Sequence, residues 1–330
     1  MNKLRVFQNV KNIKGTVSGS SKTGPGAVLL IFLFLPYIIT LLFGNSNKEK
    51  ELEIRQLLLE QLREGNYTVI NETSIGRESI ALEVYVADKL MRTMEEGYEA
   101  EALKAQAVLI RSNLISGDRS VTVSDEMYGK REIPEEYLVA VAQTKGIYPE
   151  YDGEPVYGAY FRVSNGRTRA AQEILSLEKY AYLTSVVCDR DFLSKDYAGT
   201  RVFEKREFDK IWEQLSDTGQ EEREERKTGE NDRYEEKGGI GLLRDSAGYV
   251  ISLKYQDKWV LGEQFRYAFD LPSAAFQIEE NENELIFTWK GTGHGFGMSQ
   301  FGANEMALEG KNYMEILEYF FEGITFTKIE

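Results

Sequence analysis

One cysteine and one histidine stand in 330 residues. Cys188 has no second thiol to pair with, so no intrachain disulfide forms, and together with His294 it is too few for a cysteine–histidine zinc cluster. A Ser-His-Asp hydrolase built on this chain would have to use His294. Basic charge is short as well, with 40 Lys and Arg against 54 Asp and Glu, a net of −14. Five of the basic residues, Lys3, Arg5, Lys11, Lys14 and Lys22, fall within residues 1–26, which hold no acid. The remaining 304 residues therefore carry 35 basic against 54 acidic groups, a net of −19. A body of that sign lacks the basic patches that neutralise phosphates, so nucleic acid is excluded as a partner. Disorder of the whole chain is excluded too, because 42% hydrophobic and 12% aromatic residues suffice for a core. The length suits two domains of ~150 residues or one large one.

What the chain does have is one long apolar run. Residues 27–43 (AVLLIFLFLPYIITLLF) contain no charge. As a helix they span ~25 Å, close to a ~30 Å hydrocarbon core. Pro36 removes one N–H and kinks such a helix, which membrane helices tolerate better than soluble ones. A buried core helix and a cleaved signal peptide are the rival readings. The run ends in Leu42-Phe43-Gly44-Asn45-Ser46-Asn47, with no Ala-x-Ala-like site. It reads as an uncleaved anchor over residues 27–44, and the upstream cations place residues 1–26 on the cytoplasmic side and the acidic body outside.

Residues 48–64 (KEKELEIRQLLLEQLRE) have helical composition, with Ile54, Leu58 and Leu62 four apart. They continue the anchor as a juxtamembrane stalk over 45–72 or form the first helix of the domain. Residues 65–76 are turn-rich. Residues 78–86 begin as an alternating strand and turn helical through Met94. Residues 99–115 give the clearest helix, with Leu103, Ala107, Ile110 and Leu114 as one apolar stripe. Lys104 and Arg111, seven apart, lie within ~20° on one face; they are either solvated cations or a binding face. Residues 156–162 and 182–187 read as strands, with Ser164-Asn165-Gly166-Arg167-Thr168 as a turn between them. Residues 221–237 hold 13 charged residues of 17 and read as a solvated insertion, about 216–238. Short strands follow at 250–253, 259–261 and 284–289. Asn312 and Glu315 form a capping box ahead of a helix at 313–321, and Gly310 stops the helix before it.

His294 lies in Gly291-Thr292-Gly293-His294-Gly295-Phe296-Gly297-Met298-Ser299-Gln300-Phe301-Gly302-Ala303. Four alternate glycines permit positive φ and close backbone approach. They set His294, Ser299 and Gln300 on a tight platform at a helix start, or simply make a packing loop.

The stretch GTGHGFGMSQFGANEMALEGKNYMEILEYFFEGI resembles the C-terminal signature of the stage II sporulation protein D (SpoIID) family, with its amidase-enhancer (LytB) branch. LEVYVADKLMRTMEEGYEAEALKAQAVLIRS, from Leu82 to Ser112, is similar to the family's N-terminal signature. YFRVSNGRTRAAQEIL, from Tyr160, resembles its Ser-Gly-Gly-Lys-Thr turn. GYVISLKYQDKWVLGEQFRYAFDLPSAAFQI matches a strand pair leading to a Gly-x-x-Phe-Arg element at Gly262, Phe265 and Arg266. The blocks come in family order over roughly residues 78–327.

The resemblance implies an α+β fold, with a strand-rich core packed by helices, over residues 73–330. It implies a lytic transglycosylase-type action on peptidoglycan glycan strands stripped of stem peptides, cleaving the MurNAc–GlcNAc bond to a 1,6-anhydro sugar. One carboxyl does this work. It protonates the leaving oxygen and then takes the proton of the C6 hydroxyl, so no second carboxylate is needed to activate water. Substrate-binding positions carried over are Lys104, Gln106, Arg111, Ser164, Gly166, Thr168, His294, Ser299 and Gln300. The implied setting is engulfment in an endospore-former, with the domain held on the mother-cell membrane facing the septal wall. The implied partners are glycan strands, a sporulation amidase and membrane proteins of the engulfment machinery.

The chain departs from the family at the catalytic glutamate. An ungapped alignment of Tyr85-Val86 and of 101–106 puts Met94 on the family's Met and Thr93 on its catalytic position. A threonine hydroxyl has no useful acidity near neutral pH. Glu95, on the family's proline position, and Glu96 are the substitute candidates for the catalytic acid. Residues 120–128 lack the Cys and His with which some members bind metal, so no metal or other cofactor is expected. Two readings follow: a weakened transglycosylase using Glu95 or Glu96, and a non-catalytic glycan-binding or amidase-activating member.

Overall fold

A computed structural model describes residues 48–329 apart from 49, 116–119, 176, 219–234 and 238. The anchor expected at 27–44 lies outside the described residues; among those described, no helix is long and apolar enough to cross a membrane. The chain divides into Met1–Ile54 and a compact unit, Arg55–Glu330. Residues 55–72, expected in the stalk, fall within that unit: Leu62 is fully buried in its core and residues 68–73 form a strand.

Residues 50–63 are helical (α1). β1 (Thr68–Thr73) and β2 (Gly76–Ala81) pair antiparallel, and β3 (Ser120–Val123) joins β1 in parallel. Thr68-Val69-Ile70 supply the β-branched residues that favour a strand here, so the span expected as turn-rich at 65–76 is mostly β1. The antiparallel helices α2 (Leu82–Thr93) and α3 (Ala100–Leu114) follow, then α4 (Glu135–Gln143). β4 (Ile147–Tyr151) and β5 (Glu154–Pro155) precede the two-residue strand β6 (Tyr160–Phe161). A short helix α5 (Ala171–Leu175), β7 (Ala198–Glu204) and α6 (Lys205–Thr218) come next.

β8 (Glu235–Lys237), β9 (Ile240–Arg244), β10 (Val250–Tyr255) and β11 (Lys258–Leu261) form one antiparallel sheet in the order β11-β10-β9-β8. The end of the charged insertion is therefore a paired strand, while 219–234 lie outside the described residues. α7 (Gly262–Ala268) leads to the hairpin β12 (Phe276–Glu280) and β13 (Glu284–Lys290), with β7 on the other side of β13. β14 (Met298–Ser299) pairs in parallel with β6 and runs into α8 (Gln300–Leu308). α9 (Tyr313–Phe320) carries the expected capping box of Asn312 and Glu315, and β15 (Thr325–Lys328) pairs with β4.

The α+β expectation holds, with two cores. The first centres on α3, which packs against α2, α4, α8, α9 and β4. Its small residues Ala102, Ala105 and Ala107 let neighbours approach on every side, so α3 is buried all round from Ala105 to Ser112 rather than along one stripe. The second core is aromatic: Phe203, Phe208, Trp212, Phe265, Phe269, Phe276 and Phe287 pack between α6, α7 and the strands β7 and β9–β13. Residues 182–187, expected as a strand, make only an isolated bridge at Val187 with Arg167, and 156–162 shrink to β6. Their backbone groups bond to turns and to the Thr168 side chain instead.

Candidate functional site

Three chain segments distant in sequence meet at the C-terminal end of α2. Their junction is set by the glycine motif. Gly297 has φ +72°, and a Cβ there would lie 2.2 Å from the Ala159 carbonyl oxygen. Only glycine allows this approach, which lets Met298 N–H bond to Ala159 O at 3.0 Å and starts the β14–β6 pair. Gly293, at φ +114°, is backed onto the Phe161 side chain in the same way. The two strands deliver Ser299 and Gln300 to the start of α8. Ser299 caps that helix, its Oγ accepting from Gly302 N–H at 3.1 Å.

Gln300 then reaches back to α2 and α3. Its Nε2 donates to the Thr93 carbonyl at 2.9 Å and to Gln106 Oε1 at 3.2 Å. The bond to a carbonyl fixes which end of the Gln300 amide is the donor, and this in turn fixes the Gln106 amide. Gln106 is fully buried, and its Nε2 is left as a donor without a partner among the described residues. The structure thus brings Thr93, Gln106 and Gln300 together. Tyr160, on β6, adds a phenol whose pKa burial pushes up, opposed by a hydrogen bond with the Thr93 side chain.

His294 stands behind Tyr160. Its ring packs on Phe161 and Phe296, with centroids 5.7 and 6.0 Å away. Nδ1 accepts from Phe296 N–H at 3.1 Å, leaving Nε2 to carry the proton of the neutral ring. Burial pulls its pKa down to about 4, aided by the charges of Arg266 and Arg169 and opposed by a hydrogen bond to the Tyr160 backbone. The imidazole is a neutral brace of the motif.

Asp191 joins the two turn motifs. It is fully buried; Oδ2 accepts from Ser164 N–H at 2.6 Å and from Ser299 Oγ–H at 2.8 Å, while Oδ1 has no hydrogen-bond partner. Burial raises its pKa against the pull of these bonds. Sequence reasoning missed this residue, because an aspartate in a turn such as Cys188-Asp189-Arg190-Asp191 carries no signal of burial. The same Asp191 charge, with Asp196 and Glu305 and above all burial, pushes Tyr98 up to about 12. Cys188 is buried, as expected for a small apolar residue, and its thiol is pushed up to about 12 by burial and by Asp191.

Several expected site residues lie outside this cluster. Arg111 is fully buried, with Nε 2.9 Å and Nη2 2.6 Å from the Glu83 carboxylate and Nη1 donating to Ile147 O at 2.8 Å. These bonds tie α3 to α2 and β4. Lys104 pairs with Glu101 at 2.6 Å, within its own helix. Thr168 is buried and bonds Thr184 O and Val186 N–H, and Gly166, at φ +112°, shapes the turn that receives Cys188 N–H. Ser164 acts through Asp191 and accepts from Gly166 N–H at 3.0 Å.

Thr93 spends its hydroxyl on the helix, with Oγ1 2.9 Å from Lys89 O and 3.3 Å from Leu90 O. Glu95 is paired with Arg162, and Lys195 Nζ lies 3.8 Å away. Arg162 is held in turn by Asp196 at 2.7 Å. Glu96 is exposed. Among the described residues no group of three or more His, Cys, Asp or Glu residues is arranged to hold a metal ion.

The helix pair and the glycine-framed β14–β6 junction are the stretches whose sequences resemble the SpoIID/amidase-enhancer family, and comparison with known proteins finds similarity to that same family. Residues 70–151 match the family model described as "Stage II sporulation protein". The chain is 28% identical over 278 residues to "Stage II sporulation protein D" of Bacillus amyloliquefaciens, covering 77% of this chain and 76% of that one. Its likeness to the protein of the same name from Bacillus subtilis (strain 168) is also 28%, over 273 residues and 74% of each chain. It is 25% identical over 281 residues to the "Amidase enhancer" of Bacillus subtilis (strain 168), covering 71% of this chain and 39% of that longer protein.

Proposed function

We propose that this protein is a membrane-anchored, glycan-strand-binding member of the sporulation wall machinery that works beside an amidase and lacks the acid for cleaving the strand itself. The observation that carries this reading is the state of position 93. A threonine stands where the family places its catalytic carboxyl, its hydroxyl is bonded to its own helix, and Glu95, the carboxylate two residues on, is engaged by Arg162 and Lys195. Its carboxylate is thus occupied by two cations rather than presented to a leaving glycosidic oxygen. The amide of Gln106, beside Gln300, supports the binding half of the reading, since its Nε2 is a donor left without a partner among the described residues. The printed name of one relative, an amidase enhancer, supports the partnership.

A second reading rests on the placement of Glu95, whose side chain is 34% exposed and paired with Arg162, the residue that follows β6. In that reading Glu95 is the acid/base of a weakened lytic transglycosylase.

One experiment separates the two. The full-length protein is incubated with glycan strands free of stem peptides, and 1,6-anhydro products are counted. The binding reading expects none from the wild type and their appearance in Thr93→Glu. Anhydro product from the wild type that disappears in Glu95→Gln overturns it in favour of the second reading.

A further inference from the structure

Ile75, at the turn of the β1–β2 hairpin, is 93% exposed, and no large apolar side chain among the described residues is more open to solvent. Met127, in the loop after β3, is 51% exposed. The two are neighbours across a bonded turn. Ser74 N–H donates to Glu126 Oε1 at 2.8 Å, so the residues just before Ile75 and Met127 hold each other. Asn71 on β1 exchanges two hydrogen bonds with the Asp125 backbone, at 3.0 and 2.8 Å, and fixes the loop beside the hairpin. Both apolar side chains are therefore carried on a braced edge.

Charge at this edge runs against the rest of the chain. Its acids are mostly satisfied from within: Glu72 pairs with Arg77 at 3.2 Å, Asp125 with Arg92 at 2.7 Å, and Glu132 with Arg55. The cations are not. Lys130 rests on Met127, its Nζ 3.8 Å from Sδ, and faces Glu126 at longer range. Arg63, at the end of α1, faces Tyr128. Neither they nor the exposed Arg131 form an ion pair with a described residue. Glu78, facing Tyr128 from β2, is the acid left unpaired among the described residues. On a body of net −19, an apolar tip ringed by free cations is suited to meet hydrocarbon and anions together. Chain length points the same way. The proposed anchor ends at residue 44, and α1 is tied to this edge through Arg55. The 11 residues from 44 to 55 span at most ~40 Å.

We infer that this edge is a lipid contact of the folded domain, in which Ile75 and Met127 enter the headgroup layer and Arg63, Lys130 and Arg131 meet the phosphates of anionic phospholipid. The inference rests on the membrane-anchored part of the reading above and adds an orientation to it. Two side chains and three cations do not hold a protein on a membrane alone. They act because the anchor keeps the edge at a high local concentration beside the lipid. Arg92, which holds Asp125, immediately precedes Thr93, so the contact turns the Thr93 end of α2 towards the membrane.

The test places the full-length protein in vesicles of phosphatidylcholine mixed with phosphatidylglycerol, or of phosphatidylcholine alone, each with headgroup-level nitroxide lipid as quencher. Ile75→Cys carries a thiol-reactive fluorophore; the native Cys188 is buried and resists labelling. Tyr267→Cys, at a 73% exposed position on α7, is the reference. The label at 75 is expected to be quenched in the anionic vesicles and the label at 267 to stay bright. Lys130→Gln and Arg131→Gln each weaken the docked population about fivefold, and high salt weakens it without any substitution. All these positions are exposed, so the variants fold. If the protein floats with the vesicles while the label at 75 is quenched no more than that at 267, the inference is overturned and the anchored reading stands. Quenching indifferent to phosphatidylglycerol, or surviving both cation changes together, overturns it as well. A full-length protein that does not float with either vesicle overturns both.

Discussion

Thr93, which aligns with the family's catalytic position, and His294, the lone histidine, are each turned inward. Thr93 returns its hydroxyl to the α2 backbone, which is the ordinary behaviour of threonine in a last helical turn. Its carbonyl, not its side chain, is what the motif uses, through Gln300. His294 is held neutral by burial, with its pKa at about 4 against an ordinary 6.5. A group that resists protonation only when folded makes stability depend on pH in one direction. Above 6.5 both states are neutral and the contribution is complete; as pH falls from 6.5 towards 4 the unfolded chain takes up a proton that the folded one refuses, and stability is lost. Denaturation midpoints measured across that window should fall in the wild type and stay flatter in His294→Gln. Equal slopes would mean that the ring is not shielded from water. The orphaned donor of Gln106 and the orphaned Oδ1 of Asp191 belong at this scale too, since both are buried polar atoms at the junction of the motif blocks.

The α2–α3 hairpin is the element on which the site depends, and a buried ion pair locks it. Arg111 and Glu83 are 0% and 7% exposed in their side chains, and the Gly146 N–H adds a third donor to the carboxylate. A pair so enclosed is neutral in its net worth but costly to break, because removing one member strands the other charge without water. Arg111→Met should destabilise the domain by about 3–5 kcal/mol, read as a lowered denaturant midpoint, and Glu83→Gln combined with Arg111→Met should cost clearly less than the sum of the two single changes. Additive costs would rule out the coupling. The neighbouring helices are tied to the same hairpin: Asn304, within α8, accepts from Glu99 N–H at 2.7 Å, and Glu101 on α3 accepts from Tyr313 N–H at 2.9 Å at the start of α9.

For the whole chain, charge is distributed as the proposed anchor would require. Five cations and no acid precede the apolar run, and a net of −19 follows it. The expected consequence is that the full-length protein sediments with membranes and resists extraction by high salt, whereas a chain beginning after residue 44 stays in the supernatant; recovery of both in the soluble fraction would refute the anchor. On the proposed function, an acidic domain at an anionic wall gains nothing from bulk attraction, and its hold on a strand rests on hydrogen bonds.

Sequence by itself pointed to likeness with the SpoIID family, and determined the α+β class, the helices α2, α3 and α9, and the absence of a carboxyl at position 93. Periodicity, capping residues and motif spacing are local, and local rules suffice for these. It also singled out the glycine motif, because no other residue type accepts the positive φ and close approach that Gly297 requires. Only the tertiary structure decided what each side chain faces. Lys104 and Arg111 share a helix face in sequence, yet one is paired with Glu101 on its own helix and the other is buried against Glu83, since burial depends on what α2 and β4 place opposite. Asp191 gained its role from Ser164 and Ser299, which lie 27 and 108 residues away. Arg92 claims both Asp88 and Asp125, 4 and 33 residues away, because the partners of a charge are set by distances in the fold and not along the chain.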